Sequence, residues 1–210
     1  MQFQYNILKY DVPECVHEVT RWMNVNFLKI NGDKTEILLL YPESLSEKVI
    51  IKGTFINDQC IRFSDEVKNV GVWLDKHLNL DFHTNKIVSH SHKLLKDIGR
   101  VRNVLSKKHT EMLVHAVVSS RLDNCNSLFF NMKKENIFKL QKVQNAAARL
   151  IVRKKKRDSV RTIITELHWL RVESRIIFKM LLLVFKSLRG KCSHNLKQKL
   201  TYKSNNCRSN

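Results

Sequence analysis

Leu140–Arg161 reads LQKVQNAAARLIVRKKKRDSVR. With Ile137, the residues Leu140, Val143, Ala147, Leu150 and Ile151 recur at steps mostly of three and four, the period of a helix with one apolar face. The triple alanine Ala146–Ala148 carries little side chain and lets a neighbouring helix approach closely. Lys142 and Arg149 project away from the apolar face. The helix runs into five consecutive cations, Arg153, Lys154, Lys155, Lys156 and Arg157. A short helix follows, with Asp158 or Ser159 as its N-cap and Arg161 near its start.

Five adjacent cations can neutralise successive phosphates and release the counterions condensed on a polyanion. The run also suits a nuclear-import patch, and its plainest reading is a solvated basic loop. The rest of the chain bears on that choice. Residues 91–210 carry twenty-eight Lys and Arg against seven Asp and Glu, whereas residues 1–90 carry ten against twelve. So many like charges repel one another unless something anionic neutralises them, which points to nucleic acid or an anionic membrane as partner.

The helical period extends over most of the C-terminal part. Ile87, Ser91, Leu94, Leu95, Ile98, Val101, Arg102 and Leu105 predict one face of a long helix, in which Gly99 costs a little stability. Met112, Leu113, Ala116, Val117 and Ser120 predict the next, and Val160, Ile163, Ile164 and Leu167 the short helix after the basic run. Ile176, Ile177, Met180, Leu183, Val184 and Leu188 predict a last one, stopped by Gly190.

The N-terminal part reads differently. A helix is expected to start near Pro13, with Val16, Val19 and Met23 on one face and Trp22 extending it. Asn31-Gly32-Asp33 marks a turn. Short apolar runs follow at Ile37–Tyr41, Lys48–Ile51, Thr54–Ile56, Ile61–Phe63 and Val67–Leu74, and their short connections imply mostly antiparallel pairing. The fold class is therefore α+β: a helix and a small antiparallel sheet over residues 1–80, an all-α basic helical bundle over 81–192, and a polar tail over 193–210.

Several chemistries find no support in the residues. The five cysteines form no CxxC pair, which suggests reduced thiols in a nuclear or cytoplasmic setting. No apolar run approaches the roughly 20 residues of a membrane-spanning helix, and the N-terminus does not read as a signal peptide. Neither His90/His92 nor Cys192/His194/Cys207 has a zinc-site spacing, and no Gly-rich phosphate loop is present. Asp58, Asp65, Asp75 and Asp81 fall at turns and strand ends, where solvated aspartate is ordinary. Lys34 follows the Asn-Gly-Asp turn and is expected to lead into a strand. A lysine there can protonate a leaving group or hold a phosphate, although an exposed turn lysine is the ordinary reading.

Read in order, longer blocks carry a resemblance. RWMNVNFLKINGDKTE (Arg21–Glu36) resembles the segment just after the catalytic motif in reverse transcriptases of non-LTR retrotransposons, the LINE elements of the jockey-like group. VKNVGVWLD (Val67–Asp75) resembles their next motif. RLDNCN (Arg121–Asn126), Leu140–Ile151 and LHWLRV (Leu167–Val172), with Arg175-Ile176 and Phe178-Lys179 behind it, resemble the helical region that follows. The match runs from about Val16 to about Gly190.

The resemblance implies that residues 1–80 correspond to the C-terminal part of a polymerase palm. The helices beyond would correspond to the thumb and its extension, which grip template–primer duplex, so that the implied partner is RNA, DNA or their hybrid and not a membrane. Lys34 matches the lysine that acts as general acid on the pyrophosphate leaving group, and Val70-Gly71-Val72 the strand region that supports the primer end. The nucleic-acid surface would comprise Lys142, Arg149, Arg153, Lys154, Lys155, Lys156, Arg157 and Arg161. Polymerases of this kind use Mg²⁺ held by paired aspartates upstream of the Trp-Met helix. This chain has no Asp-Asp pair. The expectation is a truncated RNA-directed DNA polymerase fragment with no metal or cofactor of its own, binding nucleic acid without extending it. The alternative is a host-adopted, non-catalytic nucleic-acid-binding or nuclear adaptor module.

Overall fold

The computed structural model describes residues 2–31, 34–47, 53–56, 59–155 and 157–198. It is mostly helical, with short antiparallel strand pairs, and divides into two compact units, Met1–His83 and Thr84–Asn210. The coarse α+β expectation agrees with this.

In the first unit, helix α1 spans Gln2–Val25 and does not start at Pro13. No Gly or Pro lies between Gln2 and Val12 to break it, so the helix runs through Pro13, which forfeits one backbone hydrogen bond there. Val16 and Met23 are half-buried, whereas Val19 and Trp22 are exposed. The helix ends where Phe27 adopts a left-handed conformation and the Leu28 N–H donates to Met23 O at 2.8 Å.

The expected strand at Ile37–Tyr41 reduces to one parallel bridge between Ile37 and Phe63. Tyr41 is committed elsewhere: its N–H donates to Lys76 O, and its carbonyl accepts from His77 Nδ1 at 3.0 Å. Thr35 and Glu36 form no strand either. The Lys48–Ile51 run, Gly32-Asp33 and Asn57-Asp58 lie outside the described residues. In place of one continuous meander there are two separate hairpins. Strand β1 (Gly53–Ile56) pairs with β2 (Gln59–Arg62), and β3 (Glu66–Asn69) pairs with β4 (Val72–Asp75). The Val67–Leu74 run is thus folded in two. Val70 and Gly71 form its turn, with φ of 47° and 84°, the positive pair that matches the twist of a tight hairpin.

Asp75 organises the exit from β4. Its carboxylate accepts from the backbone N–H groups of His77, Asn79 and Leu80. Val72 and Leu80 are buried, and His83 is buried with Nδ1 accepting from the Trp73 N–H at 3.4 Å. That burial pushes the His83 imidazole below its usual pKa.

Helix α2 (Asp81–Val101) crosses the division between the units. The second unit continues with α3 (Lys107–Val114), a π-helical turn (His115–Ser119), α4 (Ser120–Asp123) and a 3₁₀ turn (Asn126–Phe129). Then come α5 (Lys134–Val152), α6 (Val160–Glu166), α7 (Val172–Leu188) and α8 (His194–Gln198). Its core joins Ile87, Leu95 and Ile98 of α2 to Leu140, Val143, Ala147 and Ile151 of α5, with Ile163, Ile164, Val172 and Ile176 packed around them. The α2 and α5 faces are largely those the periodicity predicts.

Two faces differ. On α3 and its continuation the buried residues are Thr110, Val114, Val118, Ser119 and Leu122, while Met112, Leu113, Ala116 and Ser120 are exposed. Thr110 and Val114 already set this face within α3, ahead of the π turn, which a Ser120 N–H bond to His115 O closes and which keeps Val118 and Leu122 in line with it. A turn with i→i+5 bonds holds more residues, so a step of four stays in phase where a 3.6 period does not. On α7, Val172 and Ile176 are buried and Met180 and Leu183 half-buried, but Ile177, Val184 and Leu188 are exposed. Packing against α5 and the 3₁₀ turn uses only one stripe of α7. Ser159 is the N-cap of α6, yet its side chain makes no capping bond, and Asp158 turns back on the loop. The polar tail begins as the short helix α8.

The glycines give a pair of tests with opposite signs. A Cβ on Gly99 would sit 3.8 Å from Leu150 Cδ1, an ordinary contact, whereas one on Gly53 would lie 2.6 Å from Ile61 O. Gly99→Ala is expected to raise stability by about 0.5–1 kcal/mol in urea denaturation, and Gly53→Ala to lower it. Val70 is 83% exposed and β-branched at a left-handed position. Val70→Asn, which creates the favoured Asn-Gly turn, is expected to stabilise the hairpin by about 1 kcal/mol, read as slower amide exchange across β3 and β4.

Candidate nucleic-acid interface

The last turn of any helix leaves carbonyls without intrahelical donors. In α5 these are met by Arg102, which lies just past α2 and is 7% exposed. Its Nε donates to Leu150 O at 3.0 Å, Nη2 to Ile151 O at 2.6 Å and Nη1 to Leu105 O at 2.7 Å. A guanidinium also complements the negative end of the α5 dipole. Burial, with a smaller push from Arg153, lowers its pKa, yet arginine stays charged.

Arg153 ends α5 in a left-handed conformation, φ 55° and ψ 34°. Its Nη2 returns to Arg102 O at 3.0 Å and Asn103 O at 3.4 Å. The two arginines therefore clasp each other's backbone. From there the basic run forms a compact turn and not a string of equivalent cations. The Lys154 N–H donates to Arg149 O, the Lys155 N–H to Asp158 Oδ2 at 2.7 Å and the Asp158 N–H to Lys155 O. Arg149 is half-buried, with Nη2 directed at Asp158 O at 3.4 Å. Lys154, Lys155, Arg157 and Arg161 are exposed, and Lys156 lies outside the described residues. Lys142 is exposed too, its ammonium 4.5 Å from the Phe138 ring centroid. It stands roughly 17 Å from Arg153 along the helix axis at 1.5 Å per residue.

A groove of about 480 Å³ opens beside this clasp, with Arg102, Lys107, Arg153, Lys154 and Glu166 among its walls. Lys107 Nζ pairs with Glu166 Oε1 at 2.7 Å. That bond, followed by the charges of Lys107 and Lys154, holds the Glu166 carboxyl below its ordinary range.

The other candidate residues belong to the first unit. Lys34 is exposed, with its N–H on Asn31 O at 3.2 Å. Val70 and Gly71 lie in a turn and Val72 opens β4, so the three do not form the continuous strand the resemblance implies. Asp65 pairs with Lys76 at 3.1 Å and Asp75 caps its own loop. Among the described residues no group of three or more His, Cys, Asp or Glu is placed to hold a metal ion.

Periodicity put Arg102 on a buried face without a role. It missed Gln141 and Gln144 altogether. Both are buried: Gln141 Oε1 accepts from the Val172 N–H at 3.0 Å, Gln144 Nε2 donates to Leu170 O at 2.8 Å, and Gln141 Nε2 bridges to Gln144 Oε1. They pin the start of α7 to α5. Their position beside the Leu140–Ala147 stripe was the available signal.

Compared with protein-family models, with curated proteins and with solved structures, the chain finds no match.

Replacing Arg102 by methionine keeps much of the side chain's bulk and removes three charge-assisted donors from buried carbonyls. Arg102→Met is expected to cost at least about 3 kcal/mol in urea denaturation, against under about 0.5 kcal/mol for the exposed Lys142→Ala.

Proposed function

We propose that residues 84–210 form a sequence-tolerant nucleic-acid-binding module of the kind that grips template–primer duplex in non-LTR reverse transcriptases, and that this chain binds without polymerising. The palm-like reading of the first unit belongs to the same proposal. The observation that supports it best is the exposure of Lys142, Lys154, Lys155, Arg157 and Arg161 on a unit with a large surplus of cations. Tethering the basic run as a compact turn presents these charges from a fixed base, which lowers the entropy lost on binding. Phosphate contacts of this type fix affinity but carry no sequence information. The chain has no Asp-Asp pair to hold two catalytic metals.

A second reading has one observation in its favour. Helix α7 leaves Ile177, Phe178, Leu181, Val184, Phe185 and Leu188 exposed, with Lys179 and Lys186 on the same helix and Arg189 as its C-cap. An apolar face next to cations also suits an anionic membrane surface. No helix among the described residues is long and apolar enough to cross a membrane.

Fluorescence anisotropy with a labelled 20-bp RNA–DNA hybrid separates the two. If the five exposed cations each neutralise one phosphate, log K should fall against log[salt] with a slope of about −4 to −5. Primer extension with Mg²⁺ should give no product. Tighter binding to phosphatidylserine vesicles than to hybrid at equal salt, or nucleotide incorporation, would refute the proposal.

A further inference from the structure

The groove beside the Arg102–Arg153 clasp gathers four cations and one carboxylate. Of its four cations, only Lys107 is paired with a carboxylate, that of Glu166. Among the described residues no carboxylate lies within ion-pair distance of Arg102, Arg153 or Lys154. The hydrogen bonds of both arginines end on carbonyls, which offer dipoles but no net charge. Two arginines are thus fixed at one place, Arg153 Nη2 reaching Arg102 O at 3.0 Å, beside an open groove of about 480 Å³, within the range of small-ligand sites. Arg153 spends only Nη2 on the backbone, so among the described residues its Nε and Nη1 hydrogens are not taken. Lys154 is exposed at the rim.

The backbone bonds of the two arginines account for their positions but leave their net charge unneutralised, where a carboxylate between them would cancel it. What fits the groove is an external anion with several acceptor oxygens. Arginine matches it with a planar fork, and lysine with a point charge.

We propose that this groove anchors a single phosphate group, with Arg153 and Lys154 as its direct ligands and Arg102 supplying charge from behind. Lys107 is available to a third phosphate oxygen once Glu166 releases it. The natural source of the phosphate, a nucleic-acid backbone, rests on the binding function proposed above. The groove's own chemistry would equally hold free phosphate.

The test uses the full chain and two probes, inorganic phosphate at constant ionic strength, followed by isothermal titration calorimetry, and the labelled RNA–DNA hybrid. Arg153→Ala would remove the bonds to Arg102 O and Asn103 O and disturb the end of α5, so the informative variants are at positions whose side chains bond no backbone. Lys154→Ala should weaken phosphate binding at least about fivefold and lower the hybrid salt slope by about one. Glu166→Gln, which removes the one carboxylate and frees Lys107, should tighten phosphate binding about threefold or more. A purely structural role for these residues would not give that opposite sign. Lys93→Ala, at an exposed position of α2 outside both the groove and the proposed nucleic-acid surface, should leave phosphate affinity unchanged. Absence of saturable phosphate binding, or equal affinity in wild type, Lys154→Ala and Glu166→Gln, overturns the anchor, and hybrid binding that persists then leaves the wider nucleic-acid proposal standing. Phosphate binding with the expected variant pattern but no hybrid binding supports the anchor with free phosphate as its source, and the nucleic-acid proposal falls instead.

Discussion

The buried guanidinium of Arg102 is the contact on which the second unit turns. It meets two carbonyls at the end of α5, those of Leu150 and Ile151, and its third hydrogen bond, to Leu105 O, holds the segment after α2 in place. A buried cation without a carboxylate is costly unless its donors are satisfied, and here backbone acceptors satisfy them. Arg153 returns the contact by donating to the carbonyls of Arg102 and Asn103. The basic turn at Arg153–Asp158 therefore leaves α5 from a point fixed on both sides. Without that clasp the exposed lysines would sit on a frayed helix end.

Charge and packing fall together in the second unit. The described apolar core lies mostly in the second unit, where α2, α5, α6 and α7 contribute buried side chains, whereas the first unit buries Val72 and Leu80. The second unit also carries the cations. A well-packed scaffold with a like-charged surface is suited to hold a polyanion, because the core resists the self-repulsion that neutralisation relieves. The polar contacts inside that scaffold are specific. Gln141 and Gln144 fix where α7 begins, and Arg175 pairs with Asp123 at 3.1 Å.

Some of this could be read from the residues and some could not. The faces of α2 and α5 followed from apolar spacing, because those helices are regular and face one core. The α3–α4 face did not: α3 buries Thr110 and Val114 rather than Met112 and Leu113, and the π turn at His115–Ser119 then keeps a step of four, Val118 and Leu122, on the same side. Ile37–Tyr41 looked like a strand by composition, but its end is claimed by backbone bonds to Lys76 and His77. Val67–Leu74 reads as one apolar run, in which only Gly71 marks the turn. For the interface, the cluster of cations was plain in the sequence, while its arrangement was not. Arg149 and Arg153 turn toward the backbone, and the partner carbonyls of Arg153 lie some fifty residues away.

Amide hydrogen exchange of the full chain, with and without the RNA–DNA hybrid at low salt, bears most directly on a phosphate-binding surface built on the Arg102 clasp. New protection should concentrate at residues 102–108 and 149–158, with the exposed face of α7 unchanged. Protection confined to α7, or none in the two segments at saturating hybrid, would contradict it.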